Sequence, residues 1–534
     1  GYRFIAMVET VWTAESSATA AAAEAARGAA ARSGAVPSRA GWTIHRRFAI
    51  GAGVVSLAIA VFAGAKYTGR PPTSQVTLAV LPFQNLEGDP QREYLAAGLS
   101  DETSASLAQI DPERLTVKGR ASAYKGTTKT VAELGRELSV DYLIDSSIQA
   151  EGSRLRITVT LIRVTDQVHV WSQSYDREAT NLLGLQQDLS SAIAEQISIR
   201  LAPERLSGLE GRQTHSADAY DAYLRARDQA HRRTAEGNAR AITLFKRSTE
   251  IDTGYSLAWS ALAFTYAGGT INGDARPAEV SSLAHESARR AVQTNPRLSE
   301  AQLALGYDLW LIDWDWKAAE AALRLAVRLD PSNAAAHRTL GHALSQSGRQ
   351  SEAATEMRIA RELDPFDPVA HALSAQVAFQ AHDVSAALAH ARRAIAVDAS
   401  SWIGYVELGQ AFEASGDHAL ALEALADAER LGRNSKIIAL RGYALAKSGR
   451  VQAAREVLTT LDAMSRDRYV PPYAMALVYA ALNEREPMFD FLEKAYLARD
   501  VHLMYLPVDM KWDPYRRDPR FADLLARCGF ASSR

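Results

Sequence analysis

The 534-residue chain has a single cysteine, Cys528. No intramolecular disulfide can form, and no multi-cysteine metal site exists. An excess of either charge is also missing: 60 Lys and Arg stand against 62 Asp and Glu, a net charge of −2. Nothing in that balance points to a nucleic-acid-coating protein or an acidic tail. Catalytic signatures are absent. There is no HExxH, no Walker A loop, no GxSxG elbow and no Cys–His metal spacing. The 12 histidines are scattered, mostly in repeat helices, and read as exposed or packed. The chain therefore reads as non-enzymatic, with no catalytic, cofactor or metal residues. With 47% hydrophobic and 23% charged residues, it is neither wholly disordered nor a multi-span membrane protein.

One uncharged run stands out, FAIGAGVVSLAIAVFAGA at 48–65. Its 18 residues rise about 27 Å as a helix, enough for a bilayer core. We read 46–66 as a single transmembrane helix; the rival is a cleaved signal peptide ending at Ala63-Gly64-Ala65, against which the long amino end and the 18-residue apolar run argue. Arg27, Arg32, Arg39, His45, Arg46 and Arg47 precede it, and only Lys66 and Arg70 follow closely. The positive-inside rule then puts the amino end in the cytoplasm and the rest outside, as in a single-pass protein of a bacterial inner membrane. Ala52, Ser56, Ala60 and Gly64 share one helix face, a candidate contact for a homodimer. Residues 13–45 are an Ala-rich cytoplasmic linker, too poor in large apolar groups to offset ordering entropy.

Residues 76–202 alternate strand and helix patterns, in the order β-α-β-α-β-β-β-α. Leu155, Ile157, Val159 and Leu161 alternate with Arg156, Thr158 and Thr160, which marks a half-buried strand. The order argues an α/β domain with a mixed sheet. Asp101, Glu102, Asp141 and Asp145 are its candidate acids. Asp101 and Glu102 read as solvated charge, because adjacent helical positions do not face each other.

From about residue 217 to 530 a repeat takes over. Asp330-Pro331, Asp364-Pro365 and Asp398 are spaced by 34, and Asn295-Pro296 precedes them by 35. A 34-residue helix-turn-helix period is the tetratricopeptide (TPR) signature. Its packing positions are Trp259, Leu340, Gly341, Ala353, Ala360, Pro365, Leu408, Gly409, Ala421 and Ala428. We expect an all-α superhelix of about eight helix pairs, broken by a loop at about 268–277, GGTINGDARP. Trp310, Trp314 and Trp316 read as packing of a one-residue-expanded turn. Lys511, Arg516, Arg517 and Asp518 suit a polar outer face on the last repeat.

Three segments carry a family resemblance. AVLPFQNLEGDPQREYLAAGLSDE (79–102), GRELSVDYLIDSSIQAEGSRLRITVTLIRV (135–164) and VWSQSYDRE (170–178) resemble the TolB-like domains of bacterial signalling proteins. Asp145-Ser146 stand where that family commonly has Glu-Gly. The tail at 491–525 resembles the closing segment of TPR arrays attached to such domains. GYRFIAMVE at the amino end is similar to the last hairpin of OmpR-like winged-helix domains, so 1–12 is read as a winged-helix remnant. The order matches membrane-integrated, CadC-like regulators. The resemblance implies a non-catalytic sensor whose TPR groove takes a protein or peptide, with no nucleic-acid contact by these residues themselves. The alternatives are the regulatory half of a membrane-linked class III adenylate cyclase and an envelope scaffold with no output domain.

Overall fold

The computed structural model describes residues 76–530, apart from 90–91, 112–113, 119–128, 152–153, 179–181, 198–213 and 274. The winged-helix remnant at 1–12, the linker at 13–45, the transmembrane segment at 46–66 and its face of Ala52, Ser56, Ala60 and Gly64 lie outside the described residues. No described helix is long and apolar enough to cross a membrane.

The first part is a mixed sheet with helices. Its strands are β1 (Val76–Val80), β2 (Gln84–Asn85), β3 (Leu115–Lys118), β4 (Tyr142–Glu151), β5 (Arg154–Arg163) and β6 (Val168–Glu178). The order across the sheet is β3-β1-β4-β5-β6, with the short β2 also on β4. β1 runs parallel to β3 and β4, through the crossover helices α1 (Glu93–Ile110) and α2 (Val131–Leu138). β4, β5 and β6 are antiparallel. Strand alternation sorts the side chains onto two faces. Leu78 and Val80 share a cluster with Leu99 and Leu107 of α1 and with Ile193 of α3 (Leu182–Gln196). Ala79 and Leu143 turn the other way, toward Leu134 and Leu138 of α2. Thr130 starts α2 with a reciprocal cap: its backbone N–H donates to Glu133 Oε2 at 2.7 Å, and its hydroxyl accepts from Glu133 N at 3.3 Å. On β5, Leu155, Ile157, Val159 and Leu161 are all buried in the first cluster. The intervening residues form a polar ladder with β6. Thr158 pairs with Ser174 at 2.9 Å, Thr160 with Ser172 at 3.0 Å, and Arg156 with Asp176 at 2.9 Å.

Eight antiparallel helix pairs follow, from α4 (Ala217–His231) to α19 (Arg485–Leu497). The inner helix of each pair begins at 217, 256, 299, 334, 368, 402, 435 or 472. The fold class is thus a small mixed sheet followed by a large TPR-like helical solenoid. The spaced acids have a local job. Asp330, Asp364 and Asp398 each accept from the backbone N–H two residues on, at 2.9, 3.3 and 2.9 Å, and Asn295 does the same at 3.1 Å. These turns end one helix pair and aim the next. The spacing of 35 between Asn295 and Asp330 also has a cause. The helix Ser299–Asp308 runs into a π-helical turn, Leu309–Asp313, which absorbs one extra residue. Trp314 then takes a left-handed conformation with φ 58°, and Asp315 caps the next helix through Ala318 N at 3.0 Å.

Three expectations need correction. The break expected at 268–277 starts later, because the helix Ser256–Ile271 continues through Gly268 and Gly269. Asp101 and Glu102 are not solvated charge: Arg227 of α4 forks onto both carboxylates at 2.6 Å, and Glu102 is buried. Lys511 is not on an outer face but buried inside the array. The two parts also share one core. The cluster holding Leu78 and Ile157 runs on through Tyr223 and Phe245 to Leu298. A Cβ on Gly98 of α1 would meet Leu224 Cδ2 of α4 at 2.7 Å, so a larger residue there would have to displace that side chain.

Candidate functional site

The inner helices leave a chamber of about 410 Å³ along the concave side of the solenoid. Its wall is a relay of rings. Phe264 stacks on Tyr307, with centroids 4.1 Å apart. Tyr307 meets the edge of Trp310 at 5.8 Å, and Trp310 meets His342 at 4.9 Å. Trp310 is placed there by the π-helical turn, and its indole N–H has no acceptor among the described residues. Burial pushes the Tyr307 hydroxyl up to about 12 and the His342 imidazole down to about 3, so both stay neutral at pH 7.

The far half of the groove is filled by the chain itself. After the last helix pair, residues 499–515 run through the interior in two short 3₁₀ turns, Val501–Tyr505 and Met510–Tyr515. His502 Nε2 reaches the carbonyl of Ile271 at 2.9 Å. Tyr505 forms part of the chamber wall. Lys511 donates to Gln410 Oε1 at 2.7 Å, pairs with Asp509 at 2.9 Å, and lies 4.5 Å from the centre of the Phe379 ring. Trp512 is buried, and its N–H donates to Tyr473 Oη at 2.9 Å.

A polar network links this inserted segment to the chamber. His342 Nε2 pairs with Gln376 Oε1 at 2.6 Å; Gln376 donates to Glu407 at 3.3 Å, and Gln410 donates to Glu407 at 2.8 Å. Burial pushes the Glu407 carboxyl up to about 7, against the pull of Lys436 and Lys511.

The residues singled out by the repeat signature lie elsewhere. Ala353, Ala360, Ala421 and Ala428 are buried, and Gly341 and Gly409 stand opposite Ala353 and Ala421. Pro365 sits in the turn after its pair. Trp259 braces a helix start by donating to the Thr253 carbonyl at 2.9 Å. None of these ten residues lines the chamber. The chamber residues Phe264, Tyr307, His342 and Lys436 escaped sequence reasoning, although each lies on an inner helix of the 34-residue period. Of the tryptophan cluster, Trp310 is core and chamber wall at once. Trp316 stacks on Phe530 at 4.5 Å and donates to the Cys528 carbonyl at 3.0 Å.

His285, Asp308 and Asp313 lie within ligand distance of one another. However, one imidazole serves both carboxylates, with Nδ1 2.6 Å from Asp308 and Nε2 3.2 Å from Asp313. The trio ties the π-helical turn to its neighbouring helix. Burial pushes the Asp308 carboxyl up to about 6. Cys528 is buried, which pushes its thiol up to about 12 and leaves it unreactive.

Residues 74–192 match the family described as HilA/YgeH-like transcriptional regulator, second domain, and residues 313–377 match a tetratricopeptide repeat family. A protein of Rhizobium meliloti (strain 1021), described as putative adenylate cyclase 3, is 28% identical over 187 residues, covering 35% of this chain and 32% of the relative. The chain thus spans about a third of the length of that curated relative. Among solved structures, the APC/C hetero-tetramer Cut9-Hcn1 is 15% identical with a TM-score of 0.38, over 65% of this chain and 59% of that one. Pseudomonas aeruginosa pilF is 17% identical with a TM-score of 0.31, over 44% and 96%. A thermophilic TPR protein of Thermus thermophilus is 17% identical with a TM-score of 0.32, over 36% and 99%. The chain therefore carries a HilA/YgeH-like regulator domain followed by tetratricopeptide repeats.

Proposed function

We propose that this protein is the sensing and partner-binding part of a membrane-anchored transcriptional regulator of the CadC-like type. Its TolB-like domain and repeats stand outside the cytoplasm, on the single helix at 46–66. The inner face of the repeats takes an extended protein segment. One observation carries the binding role: the groove already holds a segment of its own chain, residues 499–515 in two short 3₁₀ turns, with His502, Tyr505, Lys511 and Trp512 seated in it. A surface that orders one such segment in cis is shaped to take another in trans.

In-cell photocrosslinking tests this reading. A photoreactive residue at Thr265 or Thr339, on the chamber wall, should capture a discrete partner band. The same residue at exposed Thr355, on an outer helix, should not. A synthetic peptide of residues 499–515 should compete for the band in membrane extracts. Identical bands from all three positions would overturn the proposal. Orientation is tested separately: a phosphatase fusion after residue 210 should be active and one after residue 40 inactive, and the reverse result defeats it. The match to a relative described as a putative adenylate cyclase favours a second reading, in which the same outer part regulates a cytoplasmic class III cyclase domain.

A further inference from the structure

The chamber, the open part of the groove beside the inserted segment, also has the properties of a small-molecule site. At about 410 Å³ it falls within the roughly 300–1,000 Å³ of such sites. Its apolar walls are planar rings set at different angles: Phe264, Tyr307, Trp310, Trp402 and Tyr505. Such walls fit a flat ring system better than a flexible chain. Two donors in this wall are unspent. The Trp310 N–H lacks an acceptor among the described residues. The Lys436 ammonium has neither a hydrogen bond nor a close ion pair among them; the Tyr505 ring lies 5.6 Å from Nζ, and the carboxyls of Glu407 and Asp509 attract it from farther off. Three other charged residues of the wall are committed. Arg338 pairs with Asp367, Arg227 with Asp101 and Glu102, and Glu407 takes N–H groups from Gln376 and Gln410. A buried ammonium that donates no hydrogen bond is costly, and a bound carboxylate relieves that cost.

We propose that this chamber binds a small planar aromatic monoanion, an aryl carboxylate, with its ring among Phe264, Tyr307 and Trp310 and its carboxylate on Lys436. Tyr505 belongs to the inserted segment, so an occupied chamber holds that segment in the groove and opposes entry of a protein partner. That consequence rests on the partner-binding reading; the ligand site itself does not.

The test uses the purified full chain with no protein partner present, so its failure leaves the partner-binding reading untouched. Calorimetric titration with 1-naphthoate should show one site per chain. The neutral isostere 1-naphthamide should bind about 10-fold or more weakly, the loss of a charge-assisted hydrogen bond. Lys436→Met should weaken naphthoate by a similar factor and leave the amide unchanged. Ala335→Trp, which fills the chamber from a half-buried wall position, should abolish both while the protein still melts cooperatively. Equal binding of acid and amide, naphthoate affinity unmoved by Lys436→Met, or no binding by the folded wild-type chain would each overturn the proposal.

Discussion

In the sheet domain the buried surface comes from branched side chains, such as Leu78, Leu143, Ile157 and Val159, on strands paired both in hairpins and, for β1 with β4, across a long stretch of sequence. In the solenoid the closest contacts are made by small residues. Ala319, Ala353, Ala387, Ala421 and Ala454 recur on the outer helices, all buried. Glycines sit opposite three of them. A Cβ on Gly409 would meet Leu425 at 2.7 Å and the Ala421 carbonyl at 3.3 Å; Gly306 and Gly341 stand in the same relation to Ala319 and Ala353. The sheet therefore depends on volume being present, and the solenoid on volume being absent. The first should fail by truncation and the second by enlargement.

That contrast can be broken by experiment. Ile157→Ala should have the largest effect, a loss of about 4 kcal/mol in urea unfolding from a cavity in the sheet core. A loss below about 1 kcal/mol would mean that the sheet collapses around the gap as loosely as a repeat. Arg227→Ala should come next, costing about 3 kcal/mol, because it removes the cation from buried Glu102 at the junction of the two parts. It should also split unfolding into two transitions; a single unshifted transition would show that the apolar contact alone couples them. Ala421→Leu should cost about 1–3 kcal/mol, whereas the same change in a sheet-facing surface position should be neutral.

The smallest effect contrasts two buried glutamates. Glu102 has its arginine in contact, whereas Glu407 accepts hydrogen bonds from amides alone, with Lys436 and Lys511 farther off, and burial raises its carboxyl from 4.5 to about 7. The folded state holds that proton more tightly than the unfolded chain does. Stability is therefore highest below pH 4.5 for this group and is lost as pH rises through 7. Glu407→Gln should accordingly melt higher than wild type at pH 8 and gain nothing at pH 5, in paired thermal scans. A lower melting temperature at pH 8 would reverse the sign and refute the argument.

Local patterns were readable in the sequence wherever their cause was local. The alternation at 155–161 is the inward and outward pointing of β5. The 34-residue spacing of aspartates is a repeated side-chain-to-backbone turn. Even the odd spacing of 35 corresponds to one residue taken up in the π-helical turn. Features set by distant partners were not readable. The Asp101-Glu102 pair looked solvated because Arg227 lies more than a hundred residues on. Residues 501–515 lack any period, and their partners Ile271 and Gln410 are 231 and 101 residues away. Gly268 and Gly269 looked like breakers, yet they continue a helix; Gly268 borders the chamber, where a Cβ would stand 3.8 Å from Tyr307 Oη.

The path of the carboxy-terminal tail has a consequence for how the array can come apart. A linear stack of repeats unzips from its ends, each unit leaning only on its neighbours. Here His502 is fastened to Ile271, Arg499 to the carbonyl of Asp313 at 3.0 Å, and Trp316 to the carbonyl of Cys528. These bonds tie the last turns of the chain to the second and third repeats, so the stack is laced shut like a ring. Its free end cannot fray without first undoing contacts near the start, and slow hydrogen exchange in the helix Ser256–Ile271 should report the state of a tail some 230 residues away.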